Sequence, residues 1–347
     1  MLKKYTIRDI AELAGVSKGT VDRVLHNRGK VSEIALMKVN AVLDEIDFKP
    51  NPIAKNLKSN KVYHICVLLP DQEQDPYWNP CITGINDVEN ELDAFGVSIE
   101  TFFFNPVNTK SFLDANALIQ SKSPDAVLLV PLFLKEALIV LEGYNKLGIT
   151  VSTFNNKIDS QFIKSFIGQD LFQSGRVAAK LMHSIMQKGN IAVVHIDEKY
   201  KNAIHMQQKE NGFRRFFKET QGFTGDIISC KIKHPNFESS LIKFLEENKN
   251  IAGIFVTTSK IHQVAKVIQE LNLPHLTLIG YDLLNENVDY LKSGVIDFLI
   301  HQNPKQQAYI GLKHLVEHFL FEKNIPDQIL LPIDIINSEN VKLFMRN

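Results

Sequence analysis

Residues 6–25 read TIRDIAELAGVSKGTVDRVL, and this stretch decides how the chain begins. Thr6 is a hydroxyl cap with the carboxylate of Asp9 three residues on, a pairing that satisfies two orphan amides at a helix start. Ile10, Leu13 and Ala14 then recur at helical spacing and predict one inward apolar stripe. Gly15 follows, suited to the left-handed turn that residues with a Cβ resist. Ser17 caps a second helix, with Val21, Val24 and Leu25 inward. Two short helices joined by a tight glycine turn make a helix-turn-helix. Ser32 caps a third helix whose Val39, Val42, Leu43 and Ile46 complete a three-helix core.

Such a second helix enters the DNA major groove, where its first residues meet base edges. Here its outward residues are Lys18, Gly19, Asp22 and Arg23. Arg23 can donate a bidentate pair to guanine, and Lys18 reaches guanine or phosphate. The same residues equally suit an ordinary solvated helix face, and the pattern alone does not choose. Charge adds a hint. Residues 1–61 hold 12 Lys and Arg against 7 Asp and Glu, a surplus of five positive charges in a chain whose formal net charge is zero. A basic segment on an acidic body suggests a polyanion partner at one end. Asn51 and Pro52 then cap a short helix through Leu57, too short to be stable alone. It either orders on DNA, with Leu57 as a minor-groove wedge, or serves as a linker.

Taken together, Thr6 to Ser17, Thr20 to Leu25, and Pro50-Asn51 with Ala54 and Leu57 resemble the headpiece and hinge of the LacI/GalR family of bacterial regulators. The resemblance implies that Lys18, Gly19 and Arg23 read bases and that Leu57 opens the operator centre. It extends the DNA-facing set to Thr6, Ser17, Thr20, Asp22, Asn27, Asn51 and Ala54. Asp22 stands where the family usually has Ser, and Pro52 where an Arg is common. Asp22 either accepts from cytosine or repels phosphate. Gly19 offers no side chain, so readout there falls to Lys18 or to DNA shape.

From Val62 the texture changes to short apolar runs alternating with amphipathic helices. The runs are Ile65–Leu69, Val97–Phe103, Ala126–Val130, Thr150–Thr153, Ile191–Ile196, Ile251–Thr257 and Leu276–Gly280. Helical stretches such as Leu171–Gln187, Ile261–Leu271 and Lys305–Phe321 lie between them. This alternation predicts an α/β body of parallel sheets covered on both faces, with ligand beyond the strands' carboxyl ends. No G-x-G-x-x-G or Walker loop follows a strand, and neither a G-x-S-x-G elbow nor a zinc-type His/Cys spacing occurs, which argues against an enzyme. No cofactor is expected.

Asp75-Pro-Tyr77-Trp78 follows the first run, an aromatic pair beside a carboxylate that can stack on a pyranose or pack in a core. Asn155, Thr258, Asp282 and Gln302 also sit at strand ends, where any one of them is equally a turn or cap residue. The body is similar to ribose-type periplasmic binding proteins and to LacI/GalR effector domains. That similarity implies two doubly wound lobes around a small-molecule effector, with Gln207 added to the ligand set. It places a headpiece at 1–49, a hinge at 50–61 and an effector and dimerisation domain at 62–347. One lobe spans about 62–165 plus 295–323, the other about 166–294 plus 324–347, with Ile167 to Asp170 on the first crossover. Two Arg of ribose-type sites are missing, the matching stretches reading Asn155-Asn156-Lys157 and Met206-Gln207-Gln208-Lys209. Lys does not replace the Arg fork, so the resemblance transfers no particular sugar.

The expectation is a homodimeric, operator-binding transcription regulator controlled by a carbohydrate-like effector. A purine-like metabolite or a partner protein is the alternative signal, and a solute-binding protein the alternative role. The apolar runs are too short for a membrane span, and no secretory leader is read, so a cytoplasmic location is expected. Cys66, Cys81 and Cys230 are odd in number and widely spaced, and read as buried free thiols.

Overall fold

The computed structural model describes residues 5–25, 28–46, 48, 61–92, 95–196, 204–273 and 276–345. The chain divides into two compact units, Met1–Lys61 and Val62–Asn347.

In the first unit α1 (Ile7–Ala14), α2 (Lys18–Leu25) and α3 (Glu33–Glu45) enclose Ile10, Ala11, Ala14, Val21, Val24 and Val39. The Thr6 amide donates to the Asp9 carboxylate at 2.7 Å, and the Thr6 hydroxyl accepts from the Asp9 amide. Gly15 takes φ +64° at the end of α1. One expectation fails: Leu13 is 57% exposed, and Ala11 takes the inward place. Helix α1 buries the face carrying Ile10, Ala11 and Ala14, and Leu13 lies off that face and stays exposed.

In the second unit each lobe is a six-stranded sheet. The first runs β11-β5-β4-β3-β1-β2, all parallel, from β1 (Tyr63–Pro70), β2 (Val97–Phe104), β3 (Ala126–Leu129), β4 (Thr150–Phe154), β5 (Ser165–Gly168) and β11 (Gln328–Leu330). Its helices include α4 (Asn79–Leu92), α5 (Thr109–Lys122) and α6 (Leu134–Lys146). The second sheet holds β6 (Asn190–Ile196), β7 (Ile227–Ile232), β8 (Ile251–Val256), β9 (Thr277–Tyr281) and β10 (Phe298–His301). It runs β12-β10-β9-β8-β6-β7, with only β12 (Asp334–Ile336) antiparallel. Helices α7 (Leu171–Ile185), α8 (Ile204–Glu219), α9 (Phe237–Glu247), α10 (Ile261–Glu270) and α11 (Asn285–Lys292) cover it. Helix α12 (Pro304–Phe321) returns to the first lobe, where Ala308, Leu312, Leu315 and Val316 pack on Ile65, Val67 and Leu69.

The lobe limits therefore differ from those expected. Strand β5 lies in the first lobe, β10 in the second and β11 in the first, so the chain crosses near residues 169, 302 and 331 rather than at 166, 295 and 324. The reason is that the backbone leaves a sheet only after its strand has spent its ladder hydrogen bonds. All three crossings meet at Gln169, whose Nε2 donates to the carbonyls of His301 (2.9 Å) and Pro332 (2.5 Å).

Helices α7 and α8 touch backbone to backbone. A Cβ on Gly175 would lie 2.0 Å from the Lys209 carbonyl oxygen, and one on Gly212 would lie 1.9 Å from that of Phe172. No side chain fits at either position, and this close approach sets where Lys209 stands. No helix among the described residues is long and apolar enough to cross a membrane.

Candidate ligand cleft and nucleic-acid-facing helix

Helix α2 begins with the Ser17 hydroxyl accepting from the Thr20 amide at 3.1 Å, while the two hydroxyls lie 2.9 Å apart. Lys18, Gly19 and Arg23 are exposed; Thr20 and Asp22 are half-buried. Positions 18, 19, 22 and 23 lie side by side on one helix face. A Cβ on Gly19 would sit 3.8 Å from Arg23 Nη2, so the guanidinium lies over the gap that the glycine leaves. Asn27, Asn51, Ala54 and Leu57 fall outside the described residues.

In the second unit a cavity of about 240 Å³ opens between the lobes at the carboxyl ends of the strands. The first lobe contributes Gln74, Asp75, Tyr77, Trp78 and Asn155, with Pro106, Val107 and Leu132 as apolar wall. The second contributes His205, Lys209, Thr258, Ser259 and Asp282, with Gln302 from the second crossing. Seven of the eight expected effector residues thus converge. Gln207 does not line the cavity. It sits half a turn from His205 and Lys209, which are one turn apart on α8 and share the inward face.

The aromatic pair is more deeply packed than a sugar clamp read from sequence implies. Trp78 and Tyr77 are 3% and 6% exposed and meet edge to face at 4.7 Å, with Phe154 a further edge contact to Trp78 at 6.4 Å. Asp75 caps their short 3-10 turn by accepting from the Tyr77 amide at 3.2 Å. Asn155, held at φ +70°, donates its side-chain amide to the Tyr77 hydroxyl.

Opposite them the polar groups are tied together. Asp282, at φ +67°, accepts from the Gln302 amide (3.0 Å) and from Gln302 Nε2 (2.7 Å). The Gln302 carbonyl in turn accepts from Gln307 at 2.6 Å. Asn287 braces the Asp282 turn, donating to the carbonyls of Ser259, Tyr281 and Asp282. Burial pushes the Asp282 carboxyl up to about 6, against the opposing pull of Lys209 and the Gln302 hydrogen bonds. Burial also pushes His301 down to about 4.

Lys209 is 2% exposed. Its ammonium donates to the Thr257 carbonyl at 3.0 Å and lies 3.6 Å from the Tyr281 ring centroid, so a carbonyl and a ring face replace its water. Behind it Glu210 accepts from His195 Nε2 at 2.7 Å, and His195 Nδ1 shares a hydrogen bond with the Thr257 hydroxyl at 2.9 Å. Burial raises the Glu210 carboxyl, yet hydrogen bonds from His195, Ser229 and Arg214 outweigh it and hold the group below the usual carboxylate range. In the sequence Lys209 stands out only as the residue where ribose-type sites carry an Arg. Lys157, the other substitute, is exposed and donates to Gln328 at 2.7 Å, away from the cavity.

Two ammonium groups (Lys209 and Lys260), two carboxylates, amides and hydroxyls around one indole make a cavity for a small, multiply hydroxylated molecule. Comparison with known proteins agrees with both units. Residues 65–323 match the periplasmic binding protein domain family, and residues 6–51 match the lacI family of bacterial regulatory proteins. The sucrose operon repressor of Streptococcus mutans is 24% identical over 98% of this chain and 100% of its own. The ribose operon repressor of Lactococcus lactis is 25% identical over 80% of each. A solved protein described as a LacI transcriptional regulator from Bacteroides fragilis superposes with TM-score 0.76 at 26% identity, covering 82% of this chain and 99% of that one. With a lacI-type helix-turn-helix ahead of a periplasmic-binding-protein domain, this chain belongs to the LacI family of bacterial regulators.

Proposed function

We propose that this DNA-binding regulator represses transcription from an operator read by Lys18 and Arg23, and that a monosaccharide or monosaccharide derivative in the cleft sets its operator affinity. The observation that carries the effector half is the Asp282–Gln302 pair, with Lys209 on the same side, facing Trp78 across a cavity of about 240 Å³. A carboxylate already fixed by two donors accepts well from ligand hydroxyls, and an indole covers the apolar face of a sugar ring. The relatives named as sucrose and ribose operon repressors support a sugar.

In this reading Asp75, Asn155, Thr258 and Gln302 complete the hydroxyl contacts. Effector acts by binding the lobe arrangement of one operator state better than the other, since a ligand with equal affinity shifts nothing. The regulator works in the cytoplasm as a homodimer on a roughly palindromic operator, with Asn51, Ala54 and Leu57 at its centre, and it returns the sugar unchanged. Isothermal titration of the full chain with pentoses, hexoses and purine nucleosides, repeated with operator DNA present, tests this. One sugar class should bind and alter operator affinity. Binding by a purine alone would replace the sugar assignment while leaving the regulator intact.

A further inference from the structure

We propose that the first lobe carries a binding site for a thiophilic divalent cation, of which zinc(II) is the type, formed by His64, Cys66 and Glu100. Among the described residues this is the one place where three such side chains bring ligand atoms together, all within 4.8 Å of one another. His64 and Cys66 are two apart on β1, so both project to one face. Cys66 stands in register with Glu100 on the parallel neighbour β2, which puts the carboxylate on that face too. The site lies toward the amino-terminal end of β1, whereas the effector cavity lies beyond the carboxyl ends.

The spacing suits a tetrahedral ion. His64 Nε2 is 3.2 Å from Glu100 Oε2 and 3.7 Å from Cys66 Sγ. Ligands at about 2.0–2.3 Å from a tetrahedral zinc lie ~3.3–3.7 Å from one another, which the two distances from His64 already match, while Cys66 Sγ and the Glu100 carboxylate stand within 4.8 Å. Glu100 is already oriented: Lys122, at the end of α5, holds its Oε1 at 2.9 Å and leaves Oε2 toward the histidine. Such outer contacts commonly steer a metal ligand. Cys66 is fully buried, while the His64 and Glu100 side chains are 29% and 39% exposed, which gives an ion a way in and leaves a fourth position for water. Sulfur, imidazole and carboxylate together select zinc or cobalt over magnesium or calcium. The Cys66 thiol, pushed up to about 12 by burial, gives its proton to the medium as the metal–sulfur bond forms. The sequence reads all three cysteines as buried free thiols rather than metal ligands, and Cys81 and Cys230 keep that reading.

The test is titration of the full, chelator-stripped chain with cobalt(II). The expected result is one ion per chain, the intense visible bands of a tetrahedral ion, a thiolate-to-cobalt charge-transfer band, and displacement by one equivalent of zinc. Cys66→Ser should abolish the charge-transfer band, whereas Cys81→Ser and Cys230→Ser keep it. If Cys66→Ser does not fold, His64→Gln and Glu100→Gln decide, since both positions are partly exposed; each should weaken cobalt about 10- to 100-fold. A weak octahedral spectrum, a band that survives Cys66→Ser, or unchanged affinity in both His64→Gln and Glu100→Gln overturns the site.

Discussion

Helix α2 and the interlobe cleft use polar side chains in opposite ways. On α2, Lys18 and Arg23 stand exposed, beside a glycine that leaves a gap rather than a partner. In the cleft, Asp282, Gln302, Lys209 and Thr257 are buried, Asp282 bonded to Gln302 and Lys209 to the Thr257 carbonyl, with the Lys209 ammonium pulling on the Asp282 carboxyl. An exposed group contributes only what it gains with its partner, and removing it disturbs little else. A buried linked group holds its neighbours' charges in check, so its removal is felt by the fold before any ligand is added.

Lys209→Met should break this contrast most severely. It leaves the Asp282 carboxylate buried without its counter-charge, a loss of about 3–5 kcal/mol for a pair of this kind. Adding Asp282→Asn should recover most of that loss. The sole tryptophan, Trp78, sits in the cleft and reports unfolding of this unit in urea. Stability of Lys209→Met within about 1 kcal/mol of the parent would show that Lys209 and Asp282 act independently.

Asp282 in the cleft and His301 behind it, whose Nδ1 lies 3.8 Å from the Asp282 carboxylate, titrate in one window with opposite signs. The Asp282 carboxyl is raised from 3.8 to about 6 by burial, so between those values the unfolded chain ionises first and rising pH lowers stability. His301 is lowered from 6.5 to about 4, so the unfolded chain binds more protons there and rising pH raises stability. Each contributes of the order of 3 kcal/mol, and they nearly cancel. Asp282→Asn should therefore give stability that climbs more steeply from pH 4 to 6.5 than the parent, and His301→Gln stability that falls relative to it. Parallel profiles in all three proteins would contradict these environments.

The two regions also differ in how much of them could be read from sequence. The Thr6–Asp9 box, the Gly15 turn and the Ser17 cap are interactions between residues at most four apart, so spacing alone reveals them. Leu13 was misplaced because one turn of helix has two possible buried faces and only the neighbours choose. In the body the strands with continuous apolar runs stood out. The four-residue β5, the short β11 and β12, and the edge strand β7, with its mixed burial, did not. The lobe limits moved with them. Strand-end polar residues are legible by position, but sequence does not give the phase of α8 against its sheet, and so does not separate Gln207 from His205 and Lys209. That phase comes from the glycine contacts at Gly175 and Gly212. Asn287, which braces the Asp282 turn, carries no local signal.

A smaller effect sharpens the exposed side of the comparison. Arg23→Ala should weaken operator binding by about 1–3 kcal/mol and relax one base position, with effector affinity and Trp78-monitored stability unchanged. Fluorescence anisotropy on a set of singly substituted operators measures both. An equal loss on every sequence would make Arg23 a phosphate contact instead.

The smallest expected effect is at Gly19. Its added Cβ would meet only Ser17 Oγ at 3.7 Å and Arg23 Nη2 at 3.8 Å, both ordinary contacts. Gly19→Ala therefore gains helix propensity without a clash, about 0.5–1 kcal/mol at most this near the helix start. The gain should appear as slower hydrogen exchange at the amides of residues 21–25, since opening of α2 is local. Operator affinity should stay within about threefold, because a methyl group adds bulk but displaces no donor. Slower exchange with a loss of more than tenfold in affinity would mean that the backbone at Gly19 itself approaches a base edge. The face of α2 would then resemble the cleft more than it now does, with each polar group depending on its neighbour's shape.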